Sequence, residues 1–351
     1  MLEFLTAFAI LVGIYSVFTL GLNVHWGYTG LFNIGVAGFF ALGAYAASLL
    51  TIRPPLSNQG EDYLYSGDLA NRLDALPVIG VLDLWFVAGL LAAALVAAVV
   101  ALVVGTITIR LRGDYLAIAT LGIAESVRLV FLNERWLSNG SRGIYTIPRP
   151  FGDIVAPQDY DRVYLVVVLV VFAVLFAGIR ALMHSPWGRV LRAIREDEVT
   201  AEASGKHVFR FKLQAFVLGA VVMGIGGALY AFNFRAISPI TFTPLLGTFI
   251  IWAMLVAGGS GRLYGPIVGA FVVWGIWSGS QFLPNVIELL PEALNVPILD
   301  ALDLVGLPNI RFFAVGVLVV LVLLYAPDGI TPGIVRVRER LAARARHHAR
   351  T

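Results

Sequence analysis

Cysteine is absent from the 351-residue chain, which excludes a disulfide framework, a thiolate metal site and a cysteine nucleophile. Charge is scarce as well: Asp, Glu, Lys and Arg make up 13% of the residues, against about 25% in an ordinary soluble domain. The net charge of +3 is too small to argue for nucleic acid. The 5 histidines, at positions 25, 184, 207, 347 and 348, show no helical metal-ligand spacing, so no metal site is expected. Neither HExxH nor GxSxG occurs, and no His/Asp cluster replaces them. An enzyme is therefore not expected. A cleavable signal peptide is not expected either, because Glu3 precedes an apolar run longer than such a segment carries.

Apolar side chains are abundant. They account for 59% of the residues, and 36 of the 351 are glycine, above the usual share of roughly 7%. A helix that crosses a hydrocarbon core of about 30 Å needs about 20 apolar residues. On that basis the sequence predicts an all-α, polytopic helical bundle of about 9 spans, within a range of about 8–10. They fall near 4–22, 31–50, 84–107, 115–132, 163–183, 213–232, 246–258, 266–283 and 312–326. Residues 1–351 then form a single transmembrane domain. "GIGGALYAF" at 224–232 and "FALGAYAA" at 40–47 read as small-residue seams that let helices approach closely.

Orientation follows from the basic loops, which stay cytoplasmic. The loops 23–30, 107–114, 184–212 and 259–265, with the tail after 326, hold 15 Lys and Arg against 7 Asp and Glu; the other side holds 8 against 14. The first set is expected in the cytoplasm, the C-terminus with it and the N-terminus outside. The outer loops 51–83 and 284–311 are acidic and rich in proline, which argues for irregular surface structure. The basic tail 335–351 is read either as a helix lying on anionic headgroups or as a stop signal that fixes orientation.

"AIREDEVTAEASGK", residues 193–206, sets ionisable side chains between two of the most apolar stretches of the chain. Pro186 ends the preceding span and a helix restarts near Trp187, with Val190, Leu191 and Ile194 on one face and Arg189, Arg192, Arg195 and Glu196 around the rest. A second short helix, from Glu198 to Ser204, closes at Gly205. Such an element makes a compact cytoplasmic knob.

The run "SPWGRVLRAIREDEVTAEASGKHVFRFKLQAFVLGAVVMGIGGALYAF" resembles the coupling region of the permease subunits of branched-chain amino acid ABC importers, of the second of the two paired types. Further likenesses are "GLNVHWGYTGLFNIGVAGFFALGAYAASLL" at 21–50, "RLRGDYLAIATLGIAESVRLVFLN" at 110–133, "SPITF" at 238–242 and "GGSGRLYGPIVGA" at 258–270. Together they cover most of residues 10–330. The resemblance implies the permease fold of ABC importers and a multi-pass location in the plasma (inner) membrane of a prokaryote. It also implies a second permease subunit, two ATP-binding cassette subunits and an external substrate-binding protein as partners, besides membrane lipids. The chain itself would need no cofactor, since ATP would be bound by the partner ATPases.

The 184–212 loop would correspond to the loop that docks on an ATPase subunit, with Arg195, Glu198, Ala201, Glu202, Ala203 and Gly205 carrying that role. Here Gly205 follows Glu198 by seven residues, where the wider ABC-permease pattern has six. Where the family often reads Thr-Gly-Gly, this sequence has Ser138, Asn139 and Gly140, and an Asn-Gly-Ser triplet there matches a glycosylation sequon.

Two constellations are candidates for the transport path. Asn23 and Asn33 flank "VHWGYTGLF", whose glycines interrupt a long apolar stretch; broken helices at membrane depth are tolerated where they line a cavity. A simple cytoplasmic turn is the other reading. Glu125 and Arg128, three apart in the fourth span, can pair, either as a structural ion pair or as a bridge to a zwitterionic amino acid. "GGSGRLYGP" at 258–266 lacks the Lys-Ser/Thr of a phosphate loop and reads as a tight turn. The expected function is translocation of branched-chain amino acids or related small polar solutes; the alternative is a stand-alone secondary transporter or channel, which would carry buried carboxylates on several spans, whereas here Glu125 alone qualifies.

Overall fold

The computed structural model describes residues 2–53, 66–74, 83–111, 113–152, 155–282 and 307–331. The basic tail 335–351 with His347 and His348, and most of the outer loops 51–83 and 284–311, lie outside the described residues. Among the described residues the backbone is helical, apart from turns and an isolated antiparallel bridge between Ile144 and Ile237.

Every expected span falls on a helix. In chain order the helices are α1 (Leu2–Leu22), α2 (Val36–Thr51), α3 (Leu69–Asp74), α4 (Leu84–Thr108), α5 (Asp114–Asn133), α6 (Arg135–Ser138), α7 (Tyr160–His184), α8 (Pro186–Glu196), α9 (Glu198–Ala203), α10 (Val208–Phe234), α11 (Ile250–Gly258), α12 (Gly265–Gly279) and α13 (Leu307–Tyr325). Among the described residues, five stretches are long and apolar enough to cross a membrane: Glu3–Tyr28, Leu84–Thr108, Asp114–Asn133, Tyr160–His184 and Val208–Phe234. Val36–Thr51, Leu245–Gly258 and Asn309–Tyr325 are shorter.

One boundary differs from expectation. The first span does not end at residue 22, because α1 runs on as a π-helix over Asn23–Tyr28, and α2 begins only at Val36. Asn23 and His25 are both fully buried, and each side chain has a hydrogen-bond partner.

The contacts divide the chain into two compact units, 1–251 and 252–351. In the first, α10 is central: 72% of its apolar window is buried, against 22% for α4, 28% for α5 and 11% for α7. It packs on α1, α2 and α4. Close approach is what the small residues permit. A Cβ on Gly43 would overlap the Gly224 carbonyl, and one on Gly227 would overlap that of Phe40, so the two seams read from the sequence face each other. On α4, the positions Gly89, Ala93, Ala97, Ala101 and Gly105 recur every four residues and are buried, while Leu91, Leu95, Val99 and Leu102 are exposed. This helix therefore has a narrow inward face and a broad face for lipid. Tyr164 donates its hydroxyl to the Leu229 carbonyl at 2.6 Å and ties α7 to α10.

The loops grouped by charge also group in space within this unit. On one side Arg195 reaches Gly27, and Arg110 lies 5.7 Å from the Phe209 ring, which brings the 23–30, 107–114 and 184–212 segments together. On the other, Ile144 and Ile237 exchange two backbone hydrogen bonds of 2.9 Å, and the Phe151 amide donates to Asp83. Asn139 takes a left-handed φ of 61°, a region asparagine tolerates. Its amide is buried and donates to the Gly143 carbonyl at 3.1 Å, so the sequon asparagine faces inward.

In the second unit α12 packs on α13. Gly269 lies against the Met254 carbonyl, and Arg311 donates to Ser280 Oγ at 3.0 Å while its guanidinium lies 5.7 Å from the Trp277 ring. The glycine-rich segment 258–266 is the turn between α11 and α12, with Gly259 and Gly261 at positive φ. A helix precedes it, not the strand a phosphate loop requires.

Candidate functional site

Proline at the first position of α8 is suited to helix initiation, and the helix that follows is strongly two-faced. Gly188, Leu191 and Ile194 are buried, whereas Arg189, Arg192, Arg195 and Glu196 are exposed. Asp197 then breaks the chain into an extended residue and caps α9: its Oδ1 accepts from the Val199 amide at 2.9 Å and the Thr200 amide at 3.1 Å, and its Oδ2 from the Thr200 hydroxyl at 2.6 Å. These bonds, those from Thr200 foremost, hold the Asp197 carboxyl below its ordinary value of 3.8. The end of α9 is closed by a pair of bonds, Gly205 N–H to Glu202 C=O at 2.9 Å and Lys206 N–H to Ala201 C=O at 3.2 Å. This is the Schellman arrangement, with Gly205 at the left-handed position, φ 77°.

The six residues that the resemblance assigns to coupling play different parts in the structure. Ala201 is buried with Ile194 and Val208, flanked by Val190 and Phe211, so it holds α9 against α8 and α10. Gly205 sets the turn. Glu202 and Ala203 are exposed. Glu198 is engaged within the chain, accepting from Lys212 Nζ at 2.6 Å; that pair is half exposed on the Glu198 side and contributes little by itself. Arg195, though exposed, donates to the Gly27 carbonyl. Between α8 and α9, Arg189, Ala193, Glu196, Thr200 and Ser204 line a concavity of about 560 Å³. On α9, Val199 is 73% exposed.

Asn23 and Asn33 are both fully buried. Asn33 Nδ2 donates to His25 Nδ1 at 2.9 Å, and its Oδ1 accepts from the Gly35 amide at 2.7 Å. His25 Nε2 in turn donates to the Phe216 carbonyl of α10 at 2.7 Å, with the ring stacked on that of Phe216. A carbonyl only accepts, so the imidazole is the neutral Nε2–H tautomer. Two threonines complete the junction: Thr120 of α5 accepts from the Ile34 amide at 3.1 Å, and Thr248 accepts from the Ala37 amide at 3.0 Å. Together with Asn33 Oδ1 they take up the Ile34, Gly35 and Ala37 amides, backbone donors at and just before the start of α2.

Glu125 and Arg128 form the ion pair their spacing predicts, with Arg128 Nε 2.9 and 3.0 Å from the two carboxylate oxygens. The pair sits midway along α5, partly exposed, and the bonds of Arg128 go to Glu125 and not to the asparagine cluster. Sequence reading missed His25, Thr120, Thr248 and Asp197. For Asp197 a signal was available, an acidic residue directly before a short helical run. For the others the partners lie up to 211 residues away in sequence.

A family model described as the branched-chain amino acid transport system / permease component matches residues 4–325. The chain is 34% identical over 279 residues to the high-affinity branched-chain amino acid transport system permease protein LivM of Escherichia coli K12, covering 73% of this chain and 59% of that protein. It is also 34% identical over 274 residues to the same-named protein of Salmonella typhimurium LT2, covering 72% and 57% respectively. With the probable branched-chain amino acid transport permease protein LivM of Methanocaldococcus jannaschii it shares 28% identity over 336 residues, 91% of both chains. The chain thus spans less than two thirds of the length of the two bacterial relatives. No solved structure matches significantly. Helices that cross a membrane repeatedly, the folded helical element after α7 and the match over nearly the whole length agree, and the chain belongs to the permease-component family of branched-chain amino acid transport systems.

Proposed function

We propose that this protein is the transmembrane translocation subunit of an ATP-driven importer for branched-chain amino acids or related small polar solutes. The observation that carries the reading is the capped, folded element α8–α9, which offers an exposed apolar side chain and a concave surface between two spans. A pair of ATP-binding cassette subunits would grip such elements, one on this chain and one on a second permease subunit. Closure of the nucleotide-bound dimer would then rock the spans around a central path. The protein would hydrolyse no ATP itself, and an external binding protein would deliver solute to the outer loops. The charge of the loops supports a prokaryotic plasma-membrane orientation with the N-terminus outside and the C-terminus in the cytoplasm.

Asn23 and Asn33, at the interrupted junction of α1 and α2, and the Glu125–Arg128 pair are the candidate path residues. The contrast between this partly exposed ion pair and the apolar outer faces of α4 and α7 favours a place away from acyl chains for that side of α5. Reconstitution in proteoliposomes with the partner subunits tests the function: uptake of labelled leucine, isoleucine or valine is expected to require ATP and the ATPase subunits. Accumulation by this chain alone, driven by a proton gradient, would overturn it.

A further inference from the structure

The hydrogen bonds from the coupling element mostly return to the helices it is already joined to by the chain. Trp187 Nε1 donates to Gln214 Oε1 of α10 at 2.8 Å, Lys212 of α10 bonds Glu198, and Arg192 donates to the Met183 carbonyl of α7 at 3.3 Å. Arg195 is different. From the last turn of α8 its guanidinium reaches the Gly27 carbonyl, in the π-helical end of α1. That carbonyl lies where helical bonding runs out: the Gly30 amide goes back to Trp26 and the Leu31 amide to His25. A cation there satisfies an orphan acceptor and complements the helix C-terminus. The arginine stem also lies along Gly30, where a Cβ would meet Arg195 Cγ at 3.5 Å.

The same short turn is gripped from two other directions. His25 holds it to α10 through the Phe216 carbonyl, and through Asn33 it holds the start of α2. The following Ile34 amide is held by Thr120 of α5. Movement of α8 therefore has a side-chain route into the ends of α1 and α2 that does not pass along the backbone. We propose that Arg195 is a positioning residue that transmits displacement of the coupling element to the interrupted α1–α2 junction, with the His25–Asn33 cluster as its pivot on α10. The proposal rests on the reading of α8–α9 as the docking element.

The test uses the assembled complex in proteoliposomes and reads solute moved per ATP hydrolysed. Arg195→Ala is expected to leave ATP hydrolysis running and to lower that ratio by roughly tenfold. Arg195→Lys, which keeps a cation but lacks the planar, fixed guanidinium and its reach, is expected to give an intermediate ratio. Arg210→Ala, which removes an exposed arginine from the start of α10, is expected to keep the wild-type ratio. A second readout exploits the absence of cysteine: a Phe32→Cys reporter is expected to change its modification rate on ATP addition with Arg195 present, and to lose that response with Ala. A purely structural anchor would alter the resting rate and not the response to ATP. A wild-type ratio and an intact ATP response in the Arg195→Ala complex overturn the proposal alone. If Ala does not assemble, Lys decides, and a wild-type ratio with Lys overturns it. Wild-type uptake that needs no ATPase overturns the docking reading itself, and this proposal with it.

Discussion

Asn33 shows how much a single amide does at the α1–α2 junction. It supplies the donor that His25 Nδ1 accepts and the acceptor for the Gly35 amide, both away from water. Asn33→Leu fills the space but orphans both groups, at a cost on the order of 1–2 kcal/mol each. Thermal unfolding in detergent is expected to show a lowered midpoint, and an unchanged one would mean that the cluster is not formed. Asp197 gives a pH prediction. Its carboxyl is held below the ordinary value by the α9 amides and the Thr200 hydroxyl, so the cap contributes stability above the unfolded-state pKa. That contribution is lost as pH falls through the still lower folded value. At neutral pH, hydrogen exchange of the Val199 and Thr200 amides is expected to be slow in the wild type and fast in Asp197→Ala. The difference should close only under strongly acidic conditions.

At the scale of elements, the helices were legible because apolar runs of the right length have few alternatives, and every expected span falls on one. The helix–Gly form of the coupling element was legible for the same reason: Pro186 and Gly205 mark its ends chemically. The end of α1 was not. Asn23 and Asn33 stand out in the sequence as polar residues of an interrupted apolar stretch, but nothing local shows that the Phe216 carbonyl will meet His25 or that the Thr120 hydroxyl will meet the Ile34 amide. Seam contacts were legible as composition, and their partners only from the fold. The seam between α2 and α10 gives a paired prediction. Gly43→Ala drives a methyl into the Gly224 carbonyl and is expected to cost about 1–3 kcal/mol. Gly122→Ala, on α5, meets nothing within 4 Å and is expected to be neutral or stabilising by up to about 1 kcal/mol. Equal melting shifts for the two variants would contradict the close approach of α2 and α10.

For the molecule as a whole, the sidedness of the first unit emerges twice, from the distribution of Lys and Arg and from the contacts that gather the 23–30, 107–114 and 184–212 segments. The two arguments are independent, one resting on insertion and the other on packing. Together they give the α8–α9 element, proposed to dock the ATPase, a face, a set of anchors and an exposed valine at position 199. A photo-activatable amino acid placed at Val199, 73% exposed on α9, tests this most directly in intact cells that express the chain with its partner subunits. The account predicts a cross-link to an ATP-binding cassette protein on the cytoplasmic side. A cross-link to an external protein, or none to the ATPase in an assembled and transporting complex, would contradict it.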